Sequence, residues 1–237
     1  MAIHIVKKHP RFCLVKGHAA LYNGKETGCR RHNSGIIMKL EDNLKYYDDH
    51  AASFAKDTLV VDFSEIRERF AQKLDPGSDI LDFGCGSGRD TKAFLQQGFR
   101  VTAVDGSEKL CRIASEYTGI PVRKMLFQEL NETDRYDGIW ACASILHVPG
   151  TSLPDILKRM NKALKRKGIV YTSFKYGTFE GERDGRYFTD LTEDSFAELI
   201  MGIKELRIEE EWISIDVRPG REDQKWLNII LRKTDIN

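Results

Sequence analysis

From residue 79 onward, short apolar runs alternate with amphipathic stretches of helical period. The runs at 79–83, 100–104, 121–125, 136–142 and 169–174 predict strands, and 89–97, 107–116 and 152–165 predict the helices between them. Gly98 and Gly119 stand where the first two of these helices must stop, and Ser107 stands where the second must be capped. Strands separated by helices at this spacing build a doubly wound, mainly parallel sheet. The tail differs. After a helix near 192–201, two apolar runs, 206–217 and 225–231, are joined by a segment too short for a crossover helix, so they must pair antiparallel. The expected fold is α/β, a seven-stranded mainly parallel sheet ending in a C-terminal antiparallel hairpin.

Upstream of the sheet the period is helical. Residues 38–47 form a clean polar and apolar pattern, and Phe54, Leu59, Phe63, Ile66 and Phe70 recur at helical spacing before Asp75-Pro76-Gly77-Ser78 breaks the chain. These helices are expected to lie as a lid over the mouth of a site. Residues 1–37 have no sustained period. They carry four of the six histidines and read as a basic extension, flexible or a mis-assigned start, ahead of one domain spanning 38–237. A nucleic-acid arm or a histidine metal site is the sharper alternative for that segment.

Charge changes the picture only by its distribution. The net charge is +1, but residues 1–37 hold seven Lys/Arg and one acid, which leaves −5 for the rest of the chain. A mildly acidic body weighs against binding a phosphate backbone. No run approaches the roughly 18–20 apolar residues of a membrane span, and no signal peptide is visible, so a cytoplasmic location is expected. The five cysteines contain no CxxC pair, so neither a disulfide framework nor a zinc site is signalled, and no metal is expected.

The densest chemical signal is Ile80-Leu81-Asp82-Phe83-Gly84-Cys85-Gly86-Ser87-Gly88-Arg89-Asp90, in which a strand runs through three glycines into a helix start. Glycine lets the backbone turn this tightly and lets a ligand approach main-chain N–H groups. Seventeen residues after Gly88, the next strand ends in Asp105, placed to accept hydrogen bonds from a ribose diol. The spacing is GxGxG behind an acid, and not the GxGxxG of a dinucleotide fold. In these motifs, and over most of the remaining chain, the sequence resembles the class I S-adenosylmethionine-dependent methyltransferases, in particular small bacterial enzymes of the tellurite-resistance and ubiquinone-pathway type.

The resemblance implies that S-adenosylmethionine is the cofactor. It puts Gly84, Cys85, Gly86 and Gly88 under the methionine half, Asp82 at the ammonium or the loop holding it, and Asp105 on the ribose. Adenine would lie by Gly106, Ser107 and the segment 127–130, with Gln128 or Glu129 at its exocyclic amine. Ala141 and Cys142, at the end of the fourth strand, would meet the sulfonium. Nearby, His147 is the general-base candidate, since its unperturbed pKa lies near neutrality, although a capping or packing role accounts for it equally. Tyr47, Lys175, Tyr176 and Arg186 form an aromatic and basic set at the strands' C-terminal edge, suited to clamping a planar or anionic acceptor.

Methyl transfer to a small-molecule acceptor follows as the expected function. Protein or peptide methylation, a non-catalytic S-adenosylmethionine-binding regulator and a nicotinamide dehydrogenase are the alternatives. The sequence does not set the oligomeric state.

Overall fold

The computed structural model describes residues 41–218 and 220–234. The segment 1–37, read above as a separate extension, lies outside the described residues, as do Cys13 and Cys29. Three helices open the described chain: α1 over residues 41–49, α2 (Ala51–Leu59) and α3 (Ser64–Ala71). The alternation then runs β1 (Asp79–Phe83), α4 (Arg89–Gln96), β2 (Arg100–Asp105), α5 (Glu108–Thr118), β3 (Val122–Lys124), β4 (Tyr136–Ala141), α6 (Leu153–Ala163) and β5 (Leu164–Lys175). A hairpin of β6 (Glu180–Arg183) and β7 (Arg186–Thr189) follows, then α7 (Glu193–Ile200), β8 (Leu206–Ile215) and β9 (Lys225–Lys233).

The main sheet has seven strands in the order β3-β2-β1-β4-β5-β9-β8. Six run in one direction, and β9 alone among the seven runs antiparallel, between β5 and β8. The strand order reverses between β1 and β2 on one side and β4 on the other, and at such a switch point the loops leaving the strands part to form a crevice.

Consecutive residues of the central strands feed opposite faces, as a sheet covered on both sides requires. Leu81, Ile139 and Val170 pack with Ile156, Leu157, Met160 and Phe196 on one face. Ile80, Trp140, Tyr171 and Ile230 pack with Phe70 and Phe94 on the other, where the Trp140 and Tyr171 rings stack at 4.1 Å. Phe70 fixes α3 to this second face. The Ser107 hydroxyl accepts the Leu110 N–H at the start of α5, and Gly119 ends that helix in the left-handed region, as the residue types predict.

Candidate active site

The cofactor half of the crevice is built by backbone. Gly84, Gly86 and Gly88 all have positive φ, at +87°, +56° and +82°, a region that costs other residues roughly 1–2 kcal/mol. A Cβ on Gly84 would lie 2.6 Å from the Ser144 Cβ, and one on Gly106 would lie 2.5 Å from Leu44 Cδ2. Gly88 serves differently from expectation. Its missing side chain leaves room for Thr118 Cγ2, 2.7 Å from where a Cβ would stand, so it seats the start of α4 against α5 and does not line the crevice.

Asp105 orients this loop. Its two carboxylate oxygens accept the Gly86 N–H and the Ser107 N–H, each at 2.8 Å. Among the described residues the carboxyl has no cationic partner, and desolvation raises its pKa above the usual carboxylate range. Lone pairs remain on both oxygens, which fits a ligand that brings two hydroxyl donors.

Asp82 is also buried and lines the crevice, accepting the Thr91 hydroxyl at 2.5 Å. Burial first, and then the neighbouring Asp90 charge, push its carboxyl up to about 8. Asp90 would rise with burial too, but Arg89 and Arg67 override this and hold it low. Its oxygens take Arg67 Nη1 and Arg89 Nε at 2.9 Å, Arg89 Nη2 at 2.7 Å and Trp140 Nε1 at 3.0 Å. This carboxylate ties the lid helix α3, through Arg67, to the start of α4 and to the central strand β4.

Several expected cofactor contacts stand elsewhere. Glu129 accepts the Leu126 N–H at 2.7 Å and so caps its own short turn, and neither it nor Gln128 lines the crevice; Met125, Leu126 and Phe127 do. Ala141 points into the apolar core, because β4 alternates and it is Trp140 and Cys142 that face the opening. Ser107 is occupied by α5 and by Asp48, to which its hydroxyl donates at 2.6 Å. Cys85, Gly106 and Cys142 line the crevice as expected; burial raises both thiols, which keeps them protonated.

The acceptor half is built by side chains from distant parts of the chain. His147 Nδ1 lies 2.7 Å from the Tyr187 carbonyl, which can only accept, so Nδ1 carries the proton. Nε2 is then an acceptor and takes the Tyr47 hydroxyl at 2.7 Å. Burial pushes the imidazole down to about 4; the Tyr187 carbonyl opposes this and the Arg186 charge adds to it. Burial likewise raises the Tyr47 hydroxyl, while Arg186 pulls it back.

Asn43, which the sequence reading passed over, fastens the same region. Its amide donates to the His147 carbonyl at 3.3 Å and accepts the Tyr187 N–H at 2.7 Å, joining α1 to the loop after β4 and to the β6–β7 hairpin. The hairpin itself, expected as loop, had a signal: Asp184-Gly185, with φ of +54° and +72°, is the dipeptide of a tight two-residue turn.

Of the expected acceptor clamp, Tyr47, Lys175, Tyr176 and Arg186 all line the same crevice. Lys175, however, is committed to the sheet's far end. Its ammonium reaches Asp216 at 3.1 Å and Gln224 at 2.6 Å and sits 4.1 Å above the Trp226 ring. Tyr176 stands at the rim, 37% exposed. Among the described residues no cluster of three or more His, Cys, Asp or Glu is placed to hold a metal, and no helix is long and apolar enough to cross a membrane.

The glycine loop, Asp105, Tyr47, His147 and Arg186 line one continuous cavity of about 720 Å³, within the range of small-ligand sites. Comparison with known proteins agrees with that geometry. The family described as "Methyltransferase domain" matches residues 55–194, more than half of the chain. A ubiquinone biosynthesis O-methyltransferase of Rickettsia bellii is 32% identical over 100 residues, 40% of this chain and 41% of the relative, so the match spans well under half of that protein.

Among solved structures, the 1,6-didemethyltoxoflavin-N1-methyltransferase of Burkholderia thailandensis, bound to 1,6-didemethyltoxoflavin and S-adenosylhomocysteine, superposes with a TM-score of 0.66 at 23% identity, covering 90% of this chain and 94% of that one. TehB of Haemophilus influenzae superposes with a TM-score of 0.60 at 19% identity, covering 76% and 66%. With an acid before GxGxG, an acid ending β2 and an antiparallel strand closing a parallel sheet, the chain belongs to the methyltransferase domain family.

Proposed function

We propose that this protein transfers the methyl group of S-adenosylmethionine to a small-molecule acceptor held between Tyr47, His147 and Arg186. The observation that carries the reading is the single cavity joining the glycine loop and Asp105 to those three side chains. A nucleophile lodged at one end faces the cofactor cradle at the other. Enclosure by α1 and α2, which bring Leu44 and Phe54 over Gly106 and Gly86, favours a small acceptor over a polymer. The Burkholderia enzyme, of the same fold, holds 1,6-didemethyltoxoflavin beside S-adenosylhomocysteine, which supports the same reading.

The cofactor, when bound, supplies an activated methyl group on a sulfonium. The protein's share is therefore positioning and exclusion of water. Gly84, Cys85 and Gly86 would cradle the amino-acid end, Asp82 would face its ammonium, and Asp105 would hold the ribose. Tyr47 spans the two halves: the Asp105 and Arg186 charges both act on its hydroxyl, and His147 fixes that hydroxyl's direction.

Calorimetry with S-adenosylmethionine, S-adenosylhomocysteine and NAD tests the cofactor part. Asp105→Ala should weaken S-adenosylhomocysteine binding at least about tenfold, or 1.4 kcal/mol, and preference for NAD would reject the reading. The acceptor part is tested by incubating the protein and methyl-labelled S-adenosylmethionine with a cell extract. Label should enter the small-molecule fraction; label confined to protein or nucleic acid rejects it.

A further inference from the structure

Arg186 differs from the other cations buried along the cavity. Lys175 is paired with Asp216 at 3.1 Å, Arg183 with Asp190 at 2.9 Å and Arg89 with Asp90 at 2.7 Å. Among the described residues Arg186 has no carboxylate partner, and its Nε is buried with no hydrogen-bond partner at all. Its guanidinium lies 4.8 Å from the Tyr46 ring centre, 5.2 Å from that of Phe188 and 6.0 Å from that of Tyr47. The Tyr47 hydroxyl accepts a hydrogen bond from the guanidinium, but neither it nor the aromatic faces supply a countercharge or reach Nε. A buried donor and charge left so is costly unless something else completes them.

The neighbouring histidine points the same way. His147 is held with its proton on Nδ1 by the Tyr187 carbonyl, and its Nε2 lone pair is already taken by the Tyr47 hydroxyl. His147 therefore offers no unoccupied base to the cavity. An acceptor that must lose a proton as it is methylated would not find its base in this histidine.

We propose that the methyl acceptor is a planar, delocalised anion, its charge paired with Arg186 and its ring lodged among Tyr46, Tyr47 and Phe188. The proposal deepens the methyl-transfer reading and rests on it. The step then balances without a proton: an electron pair of the anion forms the bond to the methyl carbon, and the pair of the broken C–S bond stays on sulfur. A cationic donor and an anionic acceptor both become neutral, a change favoured where water is excluded. The ligand class is an ionised aromatic or heteroaromatic hydroxyl, or an ionised ring N–H. Tyr47, its hydroxyl anchored on His147, serves as a positioning residue at the nucleophile.

The test uses the full chain loaded with S-adenosylhomocysteine and 4-nitrophenol as probe, whose phenolate absorbs in the visible. In a pH titration, the wild-type protein should lower the probe's apparent pKa by at least about 1 unit, a tenfold preference for the anion. Arg186→Gln should abolish that shift, and Arg186→Lys, which keeps the charge without the planar fork, should retain part of it. An unchanged or raised probe pKa in the wild type overturns the proposal, whether or not the variants fold.

Binding of S-adenosylhomocysteine supplies the control. Arg186→Gln should keep that affinity within about twofold, well under 1.4 kcal/mol. A loss matching the loss of the probe would assign Arg186 to the donor's own carboxylate and overturn the proposal. A wild-type protein that does not bind S-adenosylhomocysteine at all would instead reject the methyl-transfer reading beneath it.

Discussion

The two ends of the cavity are made differently. The cofactor end is a stretch of backbone, Gly84 to Gly88, with its orienting acid Asp105 on the neighbouring strand. The acceptor end is a set of side chains whose contacts cross 100 positions from Tyr47 to His147, 104 from Asn43 to His147 and 144 from Asn43 to Tyr187. A backbone site is written in glycines and is local. A side-chain site exists only after the chain has folded, and the residue types that make it also occur throughout ordinary surface and core.

The join between the lid helix α3 and the sheet is where the largest effect is expected. Asp90 is fully satisfied by Arg67, Arg89 and Trp140, and the ion pairs are shielded, the Asp90 side chain being 8% exposed and that of Arg67 14%. Asp90→Ala would leave two guanidiniums without their counter-ion, at a cost of about 3–5 kcal/mol. It should also free α3 from the sheet. Urea denaturation should show a large drop in midpoint, and hydrogen exchange should show faster opening of residues 64–71. A variant as stable as the wild type would mean that α3 is not held to the sheet through this carboxylate.

Protonation separates the two ends by sign. Asp82, at the cofactor end, sits near 8 when folded against about 3.8 unfolded, so the folded protein binds the extra proton. Its contribution to stability is full below about pH 4 and is lost as pH rises through 8. His147, at the acceptor end, sits near 4 when folded against about 6.5 unfolded, so the unfolded chain binds the extra proton. Its contribution is full above about pH 6.5 and is lost as pH falls toward 4, by about 3 kcal/mol. Between pH 4 and 6.5 the two oppose each other. Removing one at a time should expose the other: Asp82→Asn should leave stability that rises with pH over that interval, and His147→Gln should leave stability that falls. Stability curves of the same slope in both variants would refute the assignment.

How much of this could be read from the chain follows the same division. The stretch from Ile80 to Asp105 carried the fold, the glycine loop and the acid that orients it together, because strand, turn and helix signals there agree with one another. The apolar runs likewise gave β4, β5 and the terminal antiparallel pair, since sheet strands covered on both faces are almost continuously apolar. The β6–β7 hairpin escaped. In Glu180-Gly181-Glu182-Arg183 every residue but the glycine is charged, and only Asp184-Gly185 marked the hairpin.

Gln128 and Glu129 were misplaced for a related reason. Position in the chain told where the loop after β3 begins, but not that Glu129 would turn back to cap Leu126. Asn43 carried no signal at all. A single amide on an amphipathic helix acquires its role only when Tyr187 and His147 arrive beside it.

Within the backbone end, Gly84→Ala is the direct test of what glycine supplies. The substitution places a methyl group 2.6 Å from the Ser144 Cβ at a φ of +87°. Left-handed strain of roughly 1–2 kcal/mol adds to overpacking of about 1–3 kcal/mol. Melting temperature and S-adenosylhomocysteine affinity should fall together, because the same turn serves both. At the side-chain end, Tyr47→Phe should separate these readouts. It leaves Nε2 of His147 without its donor, at about 1–2 kcal/mol, yet touches nothing in the glycine loop, so cofactor affinity should be retained while turnover falls.

The smallest effect is expected at Lys175, the residue whose sequence position and charge made it look most like an acceptor clamp. Its ammonium is held by Asp216 and Gln224 above the Trp226 ring, and burial lowers its pKa while Asp216 opposes the shift. Removing it does not strand Asp216, which keeps Arg218 Nε at 2.8 Å and Trp226 Nε1 at 3.1 Å. Lys175→Met preserves the length of the stem over the indole, and because Asp216 keeps a guanidinium partner, no uncompensated buried charge of the kind that makes breaking such a pair costly is left behind. Acceptor KM should change less than twofold, whereas Arg186→Gln raises it at least about tenfold, or 1.4 kcal/mol. Both cations border one cavity, and only the one without a protein carboxylate has charge left to offer a ligand. A Lys175 variant that raised KM as much as the Arg186 variant would show that the Asp216 pair opens when the acceptor enters, and would move the anion site toward the β8–β9 end of the cavity.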